Sequence, residues 1–186
     1  MMRVKNKNIF LIAIIALLFL AACGPSLAER KRMADANHKL GLKYYSEGNI
    51  QLAYVEFQKA IETYSEDRDS YYAHYNLGLV YMNKNDLQKA LAEFEAAISV
   101  QPNFEPAYFQ MGQVYDRMGK RREAIINYLE AIKINPGLID AHYYLGLAYY
   151  KEGSKKLAIG EFKKVIEAAP ESEFAASSKR YLNILK

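Results

Sequence analysis

Glycine returns along this chain at Gly41, Gly78, Gly112 and Gly146, and a set of other columns returns with it. Each glycine follows Leu40, Leu77, Met111 or Leu145 and precedes, by three residues, Tyr44, Tyr81, Tyr115 or Tyr149. Twelve residues beyond it stands Ala53, Ala90, Ala124 or Ala158, and four further on an aromatic, Phe57, Phe94, Tyr128 or Phe162. Proline closes three of the units, at Pro102, Pro136 and Pro170, with Ser65 in the first. The period is 34 residues, stretched to 37 between the first two glycines by Arg68, Asp69 and Ser70. Those three residues read as a longer turn or as a partner-specific loop. Self-similarity at such a period implies a stacked array, in which each unit buries its apolar face only against its neighbours.

Within a unit the spacing is helical. His74, Leu77, Gly78 and Tyr81 share one face of a helix running from Tyr71 to Lys84. Residues tolerant of the left-handed region follow each first helix: Gly48, Asn85, Gly119 and Gly153. Asn49, Asp86 and Ser154 then stand as N-caps for the second helix, with Lys120 the exception. Glycine inside a helix costs roughly 1 kcal/mol against alanine. The expected compensation is close approach of the paired helices where the glycine column meets the alanine column.

The pattern resembles the tetratricopeptide repeat, whose helix–turn–helix signature carries an L-G-x-x-Y core, then A-x-x-x-F and a closing proline. The resemblance implies an all-α, right-handed α-solenoid with units at 34–67, 71–104, 105–138 and 139–172. Residues 173–186 follow as a capping helix, with Phe174, Tyr181, Leu182 and Leu185 toward the last repeat. Two columns depart from the family pattern. The position often held by tryptophan is Asn37, His74, Tyr108 and His142, and Val165 replaces the alanine found at Ala60, Ala97 and Ala131.

The first 22 residues read as a signal segment outside the fold. Arg3, Lys5 and Lys7 precede an apolar run from Ile9 to Ala22, too short for a membrane span of about 20 residues. It ends in Leu20-Ala21-Ala22-Cys23, and Cys23 is the one cysteine of the chain. These residues resemble a bacterial lipobox. That resemblance implies lipid attachment at Cys23, cleavage before it, and stable anchoring by two or more acyl chains. Residues 23–33 then hold a short tether and the start of the first helix. Gly24, where aspartate would favour the inner membrane, implies the periplasmic face of the outer membrane in a diderm host. The inner membrane and a monoderm cell surface are the alternatives.

Charge and chemistry exclude several functions. The 25 basic and 21 acidic residues become 22 and 21 without the signal segment, a balance with no case for nucleic acid. Three histidines are too scattered for a metal site, and no phosphate loop or nucleophile elbow is present. The chain therefore reads as a non-enzyme with no cofactor. His74 and His142 are expected on the side of the first helix that packs on the second, and His38 one step away, in water. Glu93 and Glu161 are expected on solvated faces.

In such arrays the first helices line a concave side that binds partners. Projection at about 100° per residue assigns Asp35, His38, Lys39 and Leu42 of the first unit to this face. Tyr72, Tyr75, Asn76, Leu79 and Met82 of the second follow. Phe109, Gln110, Gln113 and Asp116 come from the third, and Asp140, Tyr143, Tyr144, Leu147 and Tyr150 from the fourth. Twelve of the 16 tyrosines fall on first helices, and only four of those form the repeated column. Two readings of the surplus stay open: packing between adjacent repeats, or an aromatic groove for a peptide, since tyrosine joins a rigid ring to a hydrogen-bonding hydroxyl. A family carboxylate clamp is set aside. Asn76 matches one of its positions, but His38, Leu42, Pro106 and Gln110 replace the rest.

Lipobox followed almost at once by repeats resembles the tetratricopeptide lipoproteins that assist secretin assembly in type IV pilus biogenesis. The resemblance implies a membrane-anchored adaptor whose partner is an envelope protein or peptide. A scaffold for cell-wall synthases or hydrolases is the alternative.

Overall fold

Schellman turns set the geometry of every hairpin. The computed structural model describes residues 24–63 and 70–186. The signal segment, Cys23, Ser65, Arg68 and Asp69 lie outside the described residues. Among those described, the secondary structure is nine helices: α1 Leu27–Ser46, α2 Ile50–Thr63, α3 Ser70–Asn83, α4 Leu87–Val100, α5 Glu105–Arg117, α6 Arg121–Ile134, α7 Ile139–Glu152, α8 Lys155–Ala168 and α9 Glu173–Ile184. Gly48, Gly119 and Gly153 take φ of 76, 74 and 91°, and Asn85 takes 60°. The N–H of the following residue returns to the tyrosine carbonyl: Asn49 to Tyr44, Asp86 to Tyr81, Lys120 to Tyr115 and Ser154 to Tyr149, at 2.8–2.9 Å. The repeated tyrosine is therefore also the acceptor that closes each first helix.

This return displaces the capping expected at the next helix. Only Asp86 accepts a backbone N–H, from Lys89 at 3.4 Å. Ser154 Oγ instead donates to Glu152, and Asn49 Nδ2 to Glu47. A Schellman exit leaves ψ at 75° in Asp86 and 63° in Ser154. Ser26 and Ser172, free of it, hold ψ at 160° and 157° and do cap α1 and α9. Ser26 forms a capping box with Glu29, which fixes the start of α1 two residues after Gly24-Pro25.

The helices pair as α1–α2, α3–α4, α5–α6 and α7–α8, each second helix packs on the next first helix, and α9 closes the stack against α8. Contacts also join α1 to α3, α5 to α7 and α7 to α9, so the first helices form the inner, concave layer. The core is built from fully buried columns: Ala53, Ala90, Ala124 and Ala158, with Phe57, Phe94, Tyr128 and Phe162.

The glycine column faces those aromatics, not the alanines. A Cβ placed on Gly41, Gly78, Gly112 or Gly146 would lie 2.5–2.8 Å from Cε1 of the aromatic ring in its own repeat. Each outer-helix ring thus passes beneath the glycine of the inner helix. The glycine makes room for a ring edge, and the nearest atoms to it belong to that ring, where the alanine column was expected. At the C-terminal end Tyr181 stacks on Phe162, with centroids 5.2 Å apart, and Leu185 is buried.

Candidate functional site

One column of the concave layer wedges the repeats together. His38, Tyr75, Phe109 and Tyr143 each lie on the ring below them in the same repeat: Phe57 at 5.7 Å, Phe94 at 5.8 Å, Tyr128 at 6.0 Å and Phe162 at 6.2 Å between centroids. Each also meets an aromatic ahead of it. His38 reaches Tyr72, Tyr75 reaches Phe104, Phe109 reaches Tyr144, and Tyr143 reaches Phe174. Burial raises the Tyr75 hydroxyl above its usual range, and a hydrogen bond from Gln110 partly opposes this. These half-buried rings follow the packing reading.

Beside the wedges the concave face opens into a trough. One hollow of about 440 Å³ is lined by Tyr45, Leu79, Met82, Asn83, Gln110 and Arg117. A second, about 270 Å³, is lined by Met82, Gln113, Asp116, Arg117, Tyr128 and Tyr144. Met82 and Arg117 belong to both, so the two hollows adjoin. A third hollow, about 290 Å³, lies between Tyr143 and the capping helix at Ser177, Arg180, Tyr181 and Ile184.

Two cations in the same column strap successive first helices. Arg117 donates to the Met82 carbonyl at 3.3 Å and to Asn85 Oδ1 at 3.2 Å. One repeat on, Lys151 donates to Asp116 Oδ2 at 2.7 Å. The α3 terminus supplies partial negative charge to Arg117, as a helix C-terminus does.

Tyr128 is the exception in its column. Where three repeats carry phenylalanine, its ring adds a hydroxyl at the edge that passes under Gly112 toward the trough. The side chain is 1% exposed, and the hydroxyl finds no hydrogen-bond partner among the described residues. Burial, reinforced by Asp116 and Tyr144, pushes it well above the usual tyrosine range, so it stays protonated.

Three side chains expected in water are engaged. Glu161 accepts from His142 Nδ1 at 2.6 Å and from Lys164 at 2.9 Å, and the Pro136 carbonyl faces His142 Nε2 at 3.0 Å. Glu93 meets His74 in the same way at 2.8 Å. Histidine in the tryptophan column lies on the outer-helix side, as expected, and there recruits the glutamate 19 residues on. His38 is half-buried, and Asn76 Nδ2 donates to its Nε2 at 2.9 Å. Burial holds this imidazole below its ordinary range, against a smaller upward pull from Asp35.

The projected residues therefore separate. Leu79, Gln110, Gln113 and Tyr144 line the trough, together with Met82 and Asp116. Tyr75, Phe109 and Tyr143 wedge, and Leu147 packs against the C-terminal core cluster. Asn76 bridges His38 and the Tyr72 carbonyl. Tyr72 is 44% exposed with its ring 4.1 Å from that of Tyr71, and Leu42 is 41% exposed. Asp35 is exposed on α1, and Asp140 is half-buried in the first turn of α7. Cys23 lies outside the described residues. Projection missed Tyr45, Asn83, Arg117 and Tyr128. The last had a signal, a lone tyrosine among phenylalanines. Among the described residues no three potential ligands cluster for a metal, and no helix is long and apolar enough to cross a membrane.

Sequence models described as "Tetratricopeptide repeat" match residues 71–104 and 140–172, and one described as "TPR repeat" matches 117–153. The structure of MamA is 30% identical, with a TM-score of 0.69, over 90% of this chain and 92% of that one. YrrB, described as a TPR protein with an unusual peptide-binding site, is 26% identical over 79% of this chain and 74% of its own, with a TM-score of 0.67. The pilF protein of Pseudomonas aeruginosa shares the fold at 21% identity over 82% and 72%, with a TM-score of 0.68. Among curated proteins none matches.

Proposed function

We propose that this chain, which belongs to the tetratricopeptide repeat family, is a lipid-anchored envelope adaptor that holds a peptide segment of its partner in the concave trough. The scaffold mediates protein or peptide binding. The adjoining open hollows from Tyr45 to Tyr144 carry the finer reading. Its walls mix apolar Leu79 and Met82 with Asn83, Gln110 and Gln113, a composition suited to an extended backbone and its side chains. The peptide-binding site in the description of YrrB supports the same use of the fold. Anchoring rests on Leu20-Ala21-Ala22-Cys23, and α1 begins at Leu27, which holds the array close to the acylated residue. Secretin assembly of the type IV pilus is the process to examine first, on the lipobox-then-repeat architecture.

Met82 touches both hollows, so Met82→Glu introduces a charge at their junction. Capture of the partner from detergent-solubilised membranes should fall about 30-fold, the loss of roughly 2 kcal/mol at a hot spot. A Lys89→Ala control on α4 should capture as wild type does. Equal recovery by the two variants, at unchanged helicity, would refute the trough as the binding site.

A further inference from the structure

Resting on the reading of the trough as a peptide site, the geometry points to a pocket at the third repeat that selects a carboxamide side chain, asparagine or glutamine, of the bound peptide. The pocket is the 270 Å³ hollow over Tyr128, room for one side chain but below the size of drug-sized sites. Tyr128 is part of its lining, and the Tyr128 hydroxyl is buried, neutral and unpaired among the described residues. A buried hydroxyl of this kind is costly unless something accepts from it. In its wall stands Asp116, whose Oδ2 is held by Lys151 while Oδ1 has no hydrogen bond to a described residue.

The charges around the pocket are already answered. Lys151 pairs with Asp116, and Arg117 directs two of its N–H groups to the Met82 carbonyl and Asn85 at the end of α3. A carboxylate guest would face Asp116, and an ammonium or guanidinium guest would face Arg117 and Lys151. An aliphatic guest would leave the Tyr128 hydroxyl unpaired. A carboxamide accepts through its oxygen and donates through its nitrogen, two separate atoms on one plane. Its oxygen takes the Tyr128 proton donor and its NH₂ serves Asp116, while Met82 and Tyr144 cover its stem. Phe57, Phe94 and Phe162 offer no such hydroxyl, so the preference belongs to one peptide position only.

Tyr128→Phe is the informative variant, because phenylalanine already fills this column in the other three repeats. A displayed library of random peptides is selected on the full-length protein purified in detergent, in parallel on wild type and on Tyr128→Phe. Wild type should enrich asparagine or glutamine about tenfold at one peptide position. The variant should still enrich peptides but lose that preference, and an enriched glutamine peptide should bind wild type about tenfold tighter than its norleucine analogue. Identical preferences in both proteins, or enrichment of acidic or basic residues at that position, would overturn the carboxamide pocket and leave the trough standing. No enrichment above a protein-free control would overturn both.

Discussion

Gly112 lies directly over the ring of Tyr128, so close that a Cβ on Gly112 would stand 2.5 Å from ring Cε1 and 3.0 Å from Cζ. The same relation recurs in every repeat, and it explains why a residue that weakens helices is kept in mid-helix. A ring edge from the outer layer occupies the space a side chain would fill.

Gly112→Ala should therefore destabilise the array, although alanine is the better helix former by roughly 1 kcal/mol. Overpacking costs about 1–3 kcal/mol, and the neighbour, Tyr128, is a fully buried ring with little freedom to yield. Urea unfolding should show a lower midpoint for Gly112→Ala, lower still for Gly112→Leu. A raised midpoint for the alanine variant would show that the ring gives way freely.

Tyr128→Phe should move the other way. Removing a buried hydroxyl that lacks a partner relieves a desolvation cost of about 1 kcal/mol or more. An increase in the denaturant midpoint, with helicity unchanged, is expected. A clear decrease would mean that the hydroxyl is satisfied in solution.

Acid should weaken the fold through His38. Its folded pKa lies below the ordinary value, so the unfolded chain binds more protons once the pH drops to about 6.5. Stability is full above that pH and is lost as pH falls through the folded value. Protonation also opposes the Asn76 bond, because Nε2 must accept it. Urea midpoints measured between pH 7.5 and 5 should decline, and His38→Gln should flatten the decline. An identical slope in the variant would remove His38 from the account.

Membrane attachment should depend on Cys23. Cys23→Ser should leave a helical protein that is unprocessed or fractionates away from membranes. Wild type should carry acyl mass on its mature N-terminus. Unchanged membrane association of the variant, with no acyl mass on wild type, would remove the lipid anchor.

Columns were legible in the sequence wherever every repeat needs the same neighbour. Leu77, Gly78, Tyr81 and Ala90 recur for that reason, and the turns at Gly48 and Asn85 follow from backbone conformation alone. The partner of the glycine was not legible, because glycine and alanine are both small and only packing shows which faces a ring. Projection treated each inner helix as an isolated cylinder. It therefore could not separate Tyr75 and Phe109, which wedge between repeats, from Gln113 and Tyr144, which line open space. Arg117 escaped it for a related reason, since its reach to Met82 crosses from one repeat to another. The His142–Glu161 contact did leave a trace: His74 and Glu93 stand at the same offset of 19 residues, whereas the third repeat has Tyr108 and Asn127 at those positions.

Site-specific photocrosslinking in cells tests the use of the concave trough most directly. A benzophenone amino acid is placed at Gln113 in the trough or at Ile126, which is 59% exposed on the outer helix α6. The trough account predicts a discrete adduct with an envelope protein from position 113 and none from position 126, with Met82→Glu abolishing the adduct. An adduct from position 126 with none from position 113 would place the partner on the convex face and contradict it.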